Sequence, residues 1–190
     1  MRFLPIALAI TLLPLPAFAQ SQRHPTAAEI EGLLQGFQES IPALLESGFY
    51  GDVRTPEVRQ QQDTFVEAWS QVDPGVAPFL GDWFAIEENL EIFPTSDPGV
   101  VCVIDSYLDI SDFYLGRVVE GHLQTDTNLT LVLDSGFLVS TFVYDDQAAR
   151  YEYANPIPVK DPAVGSYFPE YHPNIVEQFQ QAGCLVGLPE

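Results

Sequence analysis

Carboxylates are the reactive groups this chain carries in abundance: 27 Asp and Glu stand against seven Lys and Arg, a formal net charge of −20 over 190 residues. Two sets are close together in sequence. Asp105, Asp109 and Asp112 fall in one short stretch, and Glu87, Glu88 and Glu91 in another. Oxygen ligands of this kind suit calcium, but neither stretch has the alternating Asp/Asn ligands and the glycine of an EF-hand loop. Both therefore read as solvated charge, and no metal site is assigned. Paired carboxylates also serve glycoside hydrolysis, provided that they face each other at a set separation across a cleft. Among so many acids the sequence selects no such pair.

Other catalytic chemistries lack their residues. A serine hydrolase would need Ser, His and an acid in register, yet no Gly-x-Ser-x-Gly is present, and no glycine loop that would cradle a phosphate. His24, His122 and His172 are scattered. His122 falls on the polar side of an alternating stretch and His172 precedes a helix, so each reads as a surface or capping residue and not as a general base. No catalytic residue is assigned and no cofactor is expected. The acidity excludes nucleic acid and anionic membrane as partners. It reads as a solubility or salt adaptation, the functional alternative being a cationic partner or bound divalent ions.

Compartment is the clearest inference. Met1-Arg2 supplies a minimal positive region, residues 3–16 an apolar one, and Ala17-Phe18-Ala19 a small-x-small cleavage site. Residues 1–19 are thus a signal peptide, and the exported chain is periplasmic or secreted. Pro5, Pro14 and Pro16 leave the apolar run too short and broken for a membrane anchor, so no stable membrane insertion is expected after cleavage. In an oxidising compartment Cys102 and Cys184, the only cysteines, are expected to form a disulfide. Closing a loop of that length stabilises by about 4–5 kcal/mol in the chain-entropy account.

Residues 20–190 fit one globular domain with a core of its own. Its helical part spans 26–73. Thr26 with Glu29 makes a capping box, and Ile30, Leu33, Leu34, Phe37, Ile41, Leu44 and Leu45 form one helical face that Pro42 should kink or split and Gly48 should end. Thr55-Pro56 starts a second helix, with Val58, Phe65, Trp69 and Val72 near one face. The short link between them suggests a helical hairpin.

From Gly81 the period changes to two. Phe84, Ile86, Leu90 and Ile92 share a face in one long strand, with Glu88 as an exception marking a bulge or bend. Residues 100–104, five apolar residues with Cys102 at their centre, read as a strand buried on both faces. Residues 105–112 read as an acidic crossover, 113–125 as a half-exposed strand interrupted near Gly116 or Gly121, and 129–154 as a three-stranded meander. Residues 156–190 form a Pro-rich wrap and a short C-terminal helix. The fold class is then α+β: an N-terminal helical pair and a short C-terminal helix packed on a twisted antiparallel sheet of about six strands. The alternative is a small, partly closed β-barrel with flanking helices.

Gly81-Asp82-Trp83 opens the first strand, and a Gly-x-Trp at that place resembles the opening of lipocalin and avidin-type barrels. The resemblance covers three residues. It implies a closed barrel with an apolar ligand cavity; the bland reading is that Trp83 anchors the sheet against a helix. A cavity lined by Trp83, Phe113 and Phe142 would be the ligand-binding site. Functionally the chain reads as a non-catalytic binding or interaction module of the envelope or extracellular space, its partner an unknown protein or small ligand. The alternative is a small secreted hydrolase whose carboxylates form no recognisable motif.

Overall fold

The computed structural model describes residues 22–189, so the signal peptide expected over 1–19 lies outside the described residues. Eight strands follow one another: β1 (Gly81–Phe84), β2 (Glu88–Pro94), β3 (Val100–Tyr107), β4 (Ile110–Val119), β5 (His122–Thr125), β6 (Thr130–Asp134), β7 (Phe137–Tyr144) and β8 (Gln147–Ile157). Each pairs antiparallel with the next, and β8 returns to β1 to close a barrel.

The expectation of about six strands in a sheet is corrected by two turns. Residues 85–87 reverse the chain between β1 and β2: the Ala85 N–H donates to the Glu88 carbonyl at 2.8 Å, and Glu87 takes a φ of +62°. Glu120 and Gly121, at φ +52° and +83°, likewise split residues 113–125 into β4 and β5. Reversals this short leave no polar gap, so two hairpins read as two strands, but each shifts the alternation by one position: Phe84, expected to share a face with Leu90 and Ile92, stands opposite Asn89 on the outer face. The expected acidic crossover is a hairpin as well, turning at Leu108, whose φ is +52°.

Partners in the register share a face, which separates the inside of the barrel from the outside. Leu90, Ile92, Val101, Val103, Leu123, Leu131 and Leu138 point inward and are fully buried. Eight strands enclose a lumen just wide enough to be filled by side chains or to hold one small ligand.

The lower end of the barrel is plugged. A single 3-10 turn over Ala77–Phe79 precedes β1, and the Trp83 indole N–H donates to the Phe79 carbonyl at 2.8 Å. Helix α2 (Pro56–Ser70) presses Phe65 and Trp69 into the same cluster as Val76, Phe79 and Leu80. Val72, expected on that face, is 59% exposed, because the helix ends before it. Along the seam where β8 meets β1 the pairing is brief, with Asp82 opposite Ile157, Phe84 opposite Ala154 and a register shift between them. Helix α2 lies against this seam, Arg54 before it donating to the Pro156 carbonyl at 2.7 Å and Gln62 within it to the Leu80 carbonyl at 2.8 Å.

Helix α1 (Ala27–Glu46) packs elsewhere, outside β7 and β8. Phe37 is fully buried and meets Phe137 edge to face at 5.4 Å, beside Val139 and Ala154. The two helices therefore serve different parts of the barrel and do not form the expected hairpin. The helix also runs unbroken through Pro42; only one intrahelical N–H is lost there, and Phe37, Ile41 and Leu44 hold both sides of it to one cluster.

The C-terminal segment wraps the outside of β2–β4. Within the expected Pro-rich wrap α3 (Tyr167–Tyr171) forms a short helix, and the expected C-terminal helix follows as α4 (Pro173–Gln181). Phe179 of α4 packs edge to face on Phe93 at 4.8 Å. Cys102 and Cys184 form the expected disulfide, their Cα atoms 6.0 Å apart, and the Leu185 N–H donates to the Pro94 carbonyl at 2.8 Å. Among the described residues no helix is long and apolar enough to cross a membrane.

Candidate functional site

The upper end of the barrel differs from the plugged one. Two hairpins project there. The pairing of β4 with β5 begins only at Gly116, and Leu115 is held by Asp126 just beyond it, so Ile110 to Tyr114 pair with β3 alone. The pairing of β8 with β1 stops at Ala154, so the upper half of the β7–β8 hairpin likewise stands above the rim. The inward faces of both hairpins border the mouth.

On those faces the lumen turns from apolar to polar. Moving up β2, Ile92 and Leu90 are followed by Glu88; moving up β3, Val101 and Val103 are followed by Asp105. Opposite Val103 and Asp105 on β4 stand Tyr114 and Asp112. Tyr153 of β8 is buried to 1% exposure and donates its hydroxyl hydrogen bond to Oε1 of Glu88, with Ser140 of β7 beside it. Glu88, Asp105 and Tyr114 are half-buried and Asp112 is exposed, so the layer is reached from solvent through the mouth.

Electrostatics follow from that placement. Partial burial, then the negative charges of Glu88 and Asp112, push the Asp105 carboxyl up to about 7. Burial likewise raises the Tyr114 and Tyr153 phenols, with the same carboxylates adding to the effect. None of the three carboxylates has an ion-pair partner among the described residues. The described cations lie elsewhere: Arg117 and Arg150 on outward register positions, Arg23 bridged to Val143 at the edge of β7, Arg54 and Arg59 around Asp52, and Lys160 near Asp82 and Glu91.

A rim of apolar side chains surrounds the layer. Tyr107, Ile110 and Tyr151 occupy inward register positions and are 46%, 58% and 54% exposed, while Ile86 and Leu108 stand at the tips of their hairpins. Phe142 lies half-buried between rim and acids.

Of the three residues expected to line a cavity, the barrel brings two onto its inner face, Trp83 at the plugged end and Phe142 near the mouth. Phe113 pairs with Ile104 on the outer face and does not join them. Asp109 sits at a hairpin turn and Glu87 in the β1–β2 turn, away from the lumen. The mouth residues Glu88, Asp105, Asp112, Tyr114 and Tyr153 were not assigned from sequence. A signal existed: Glu88 interrupts the apolar face of Leu90 and Ile92, and Asp105 extends the face of Val101 and Val103.

Glu91 belongs to a second acidic pair, on the outer face. It stands directly opposite Asp82, which accepts from the Asn89 side chain at 2.9 Å. Burial raises both carboxyls, Glu91 to about 8 and Asp82 to about 6; the neighbouring charge of Asp82 adds to the rise at Glu91, while Lys160 opposes it at both.

Compared with protein-family models, curated proteins and solved structures, the chain shows no match.

Proposed function

We propose that this chain is an exported, non-catalytic binding module that takes a small ligand into the mouth of its barrel. One observation carries the reading: a solvent-reached polar layer inside the open end of a barrel whose other end is plugged. Concave sites with aromatic walls and a few convergent polar groups are the usual form of small-molecule pockets; below this layer the lumen is filled by apolar side chains, so a ligand would be held at the mouth and not deeper. Export is supported by the sequence of residues 1–19, and the Cys102–Cys184 disulfide is in keeping with it.

The test is a titration of the mature protein with N-phenyl-1-naphthylamine, followed by probe emission. Saturable enhancement is expected, weakened several-fold by Phe142→Arg, which puts a bulky cation among the carboxylates. No enhancement, or enhancement indifferent to the substitution, would place binding elsewhere or nowhere.

A hydrolase reading draws on the same groups, because Asp105, raised to about 7, lies among Glu88 and Asp112 in one opening. Assaying chromogenic glycosides and esters between pH 5 and 8 separates the two readings. Turnover abolished in Asp105→Asn would support an enzyme.

A further inference from the structure

We propose that the plugged end of the barrel carries a second binding site, a cleft between helix α2 and the barrel wall beside it, and that its ligand is a neutral polyhydroxyl molecule, a saccharide. The site is separate from the mouth and does not depend on the reading given to the mouth.

The cleft encloses about 570 Å³, within the range of roughly 300–1,000 Å³ usual for small-molecule sites. One wall is helix α2. Gln62, Asp63, Val66, Glu67 and Ser70 follow in steps of one and three residues, which puts them on one side of the helix, next to the side that buries Phe65 and Trp69. The facing wall comes from three other places in the chain: Pro78 in the 3-10 turn, Trp83 in β1 and Pro156 in β8.

Gln62 distinguishes this cleft from a surface crease. It is 4% exposed, its Nε2 donates to the Leu80 carbonyl at 2.8 Å, and its Oε1 has no hydrogen-bond partner among the described residues. Because the Leu80 carbonyl takes only a donor, the amide cannot turn over, and Oε1 is fixed as an acceptor. Buried acceptors in folded proteins are nearly always met, and one left unmet costs stability. The cleft that Gln62 lines is the side from which a ligand O–H can meet it.

The other lining groups define the class. Trp83 spends its indole N–H on the Phe79 carbonyl, so it offers a ligand ring surface, to which Pro78 and Pro156 add apolar faces. Asp63 and Glu67 supply acceptors on the exposed side of the cleft. The Arg54 guanidinium binds Asp52 and the Pro156 carbonyl through Nε, Nη1 and Nη2, and each Nη keeps a second N–H to donate. An anion would meet Asp63 and Glu67, and a cation would meet Arg54. A neutral molecule that both gives and accepts hydrogen bonds avoids both conflicts. A sugar ring has that character, with hydroxyls around its edge and C–H groups on the faces that cover an aromatic wall.

The experiment titrates the mature protein with maltose, cellobiose, lactose and chitobiose and follows the emission of its two tryptophans. At least one disaccharide is expected to give a saturable change at millimolar concentration. Gln62→Met, which keeps the size of the side chain and removes the acceptor, should weaken that binding about tenfold. If circular dichroism shows this variant misfolded, Glu67→Ala, at an exposed position, carries the test with a several-fold loss expected. Phe142→Arg, at the mouth, should leave saccharide binding unchanged, and Glu67→Ala should leave the enhancement of N-phenyl-1-naphthylamine unchanged, so the two sites fail separately. No saturable change with any of the four, or binding indifferent to Gln62→Met and Glu67→Ala, would overturn the proposal. Saccharide binding lost in Phe142→Arg would move it to the mouth and overturn the second site. Tighter binding of glucuronate or glucosamine than of glucose would overturn the neutral class.

Discussion

The Tyr153 hydroxyl, on the last strand of the barrel, hydrogen-bonds the Glu88 carboxylate on the second, reaching past β1 between them. A buried phenol donating to a carboxylate is held neutral and in place. Tyr153→Phe should therefore destabilise the protein by about 1.5–3 kcal/mol, the range for hydrogen bonds to charged groups, measured by urea unfolding. In the native protein, alkaline titration followed at 295 nm should show Tyr153 and Tyr114 ionising later than they do in the unfolded chain, and only denaturation should restore an ordinary midpoint.

Glu91 carries a pH dependence whose direction is fixed by its burial. Its carboxyl is raised in the folded chain to about 8, so the folded state holds a proton there that the unfolded state has released. Stability must then fall as pH rises from the ordinary carboxyl range through about 8, and Asp82 adds to the lower part of that window. Glu91→Gln should flatten the decline by on the order of 2 kcal/mol between pH 5 and 8. Melting temperatures of the two proteins across that window check it; parallel curves would refute it.

Gly81→Ala should cost about 2 kcal/mol or more, because the backbone there has φ +138°. An added Cβ would also meet Gln62 Nε2 at 2.8 Å and Pro156 Cβ at 3.0 Å. Denaturant midpoints give the comparison, and a loss confined to stability, with binding of N-phenyl-1-naphthylamine retained, is the expected pattern.

Cys102→Ala with Cys184→Ala removes the link between β3 and the chain's tail. The bridged residues are 82 apart in sequence, which corresponds to about 4–5 kcal/mol in the chain-entropy account. Thermal unfolding should shift down accordingly, while guest binding at the mouth persists, since Cys102 lies on the outer face.

What was legible in the sequence was local. The caps at Thr26 and Thr55 and the helix end at Gly48 lie where their side chains and backbone demand. The disulfide followed from the cysteine count and the compartment read from residues 1–19, and a short C-terminal helix was expected where α4 forms. Strand number was lost at 85–87 and 120–121, where turns of three and two residues leave no polar gap, although each shifts the inward face by one position, from Trp83 to Leu90 and from Val118 to Leu123. The site was lost for a related reason. Glu88 and Asp105 are acids in an acid-rich chain; the β2–β3 pairing puts them on one face, but only barrel closure, a contact between residues about seventy-five apart in sequence such as Asp82 and Ile157, turns that face inward and brings Tyr153 to Glu88. Phe113 and Phe142 carry the same apolar signal, yet the register sends one outside and one inside.

The brief seam between β1 and β8 is one of two places, with the equally brief pairing of β5 and β6, where this barrel can breathe. At the β1–β8 seam two paired positions with a shift between them make a weak hem, and the stitches across it, Arg54 to Pro156 and Gln62 to Leu80, come from residues of α2 and its approach. Local opening costs least where few backbone bonds must break. The helix that plugs the floor is thus also the clasp of the cylinder: loosening α2 would unzip the wall beside it before disturbing β3, and amide exchange along Gly81–Phe84 would outrun that of the disulfide-braced strand.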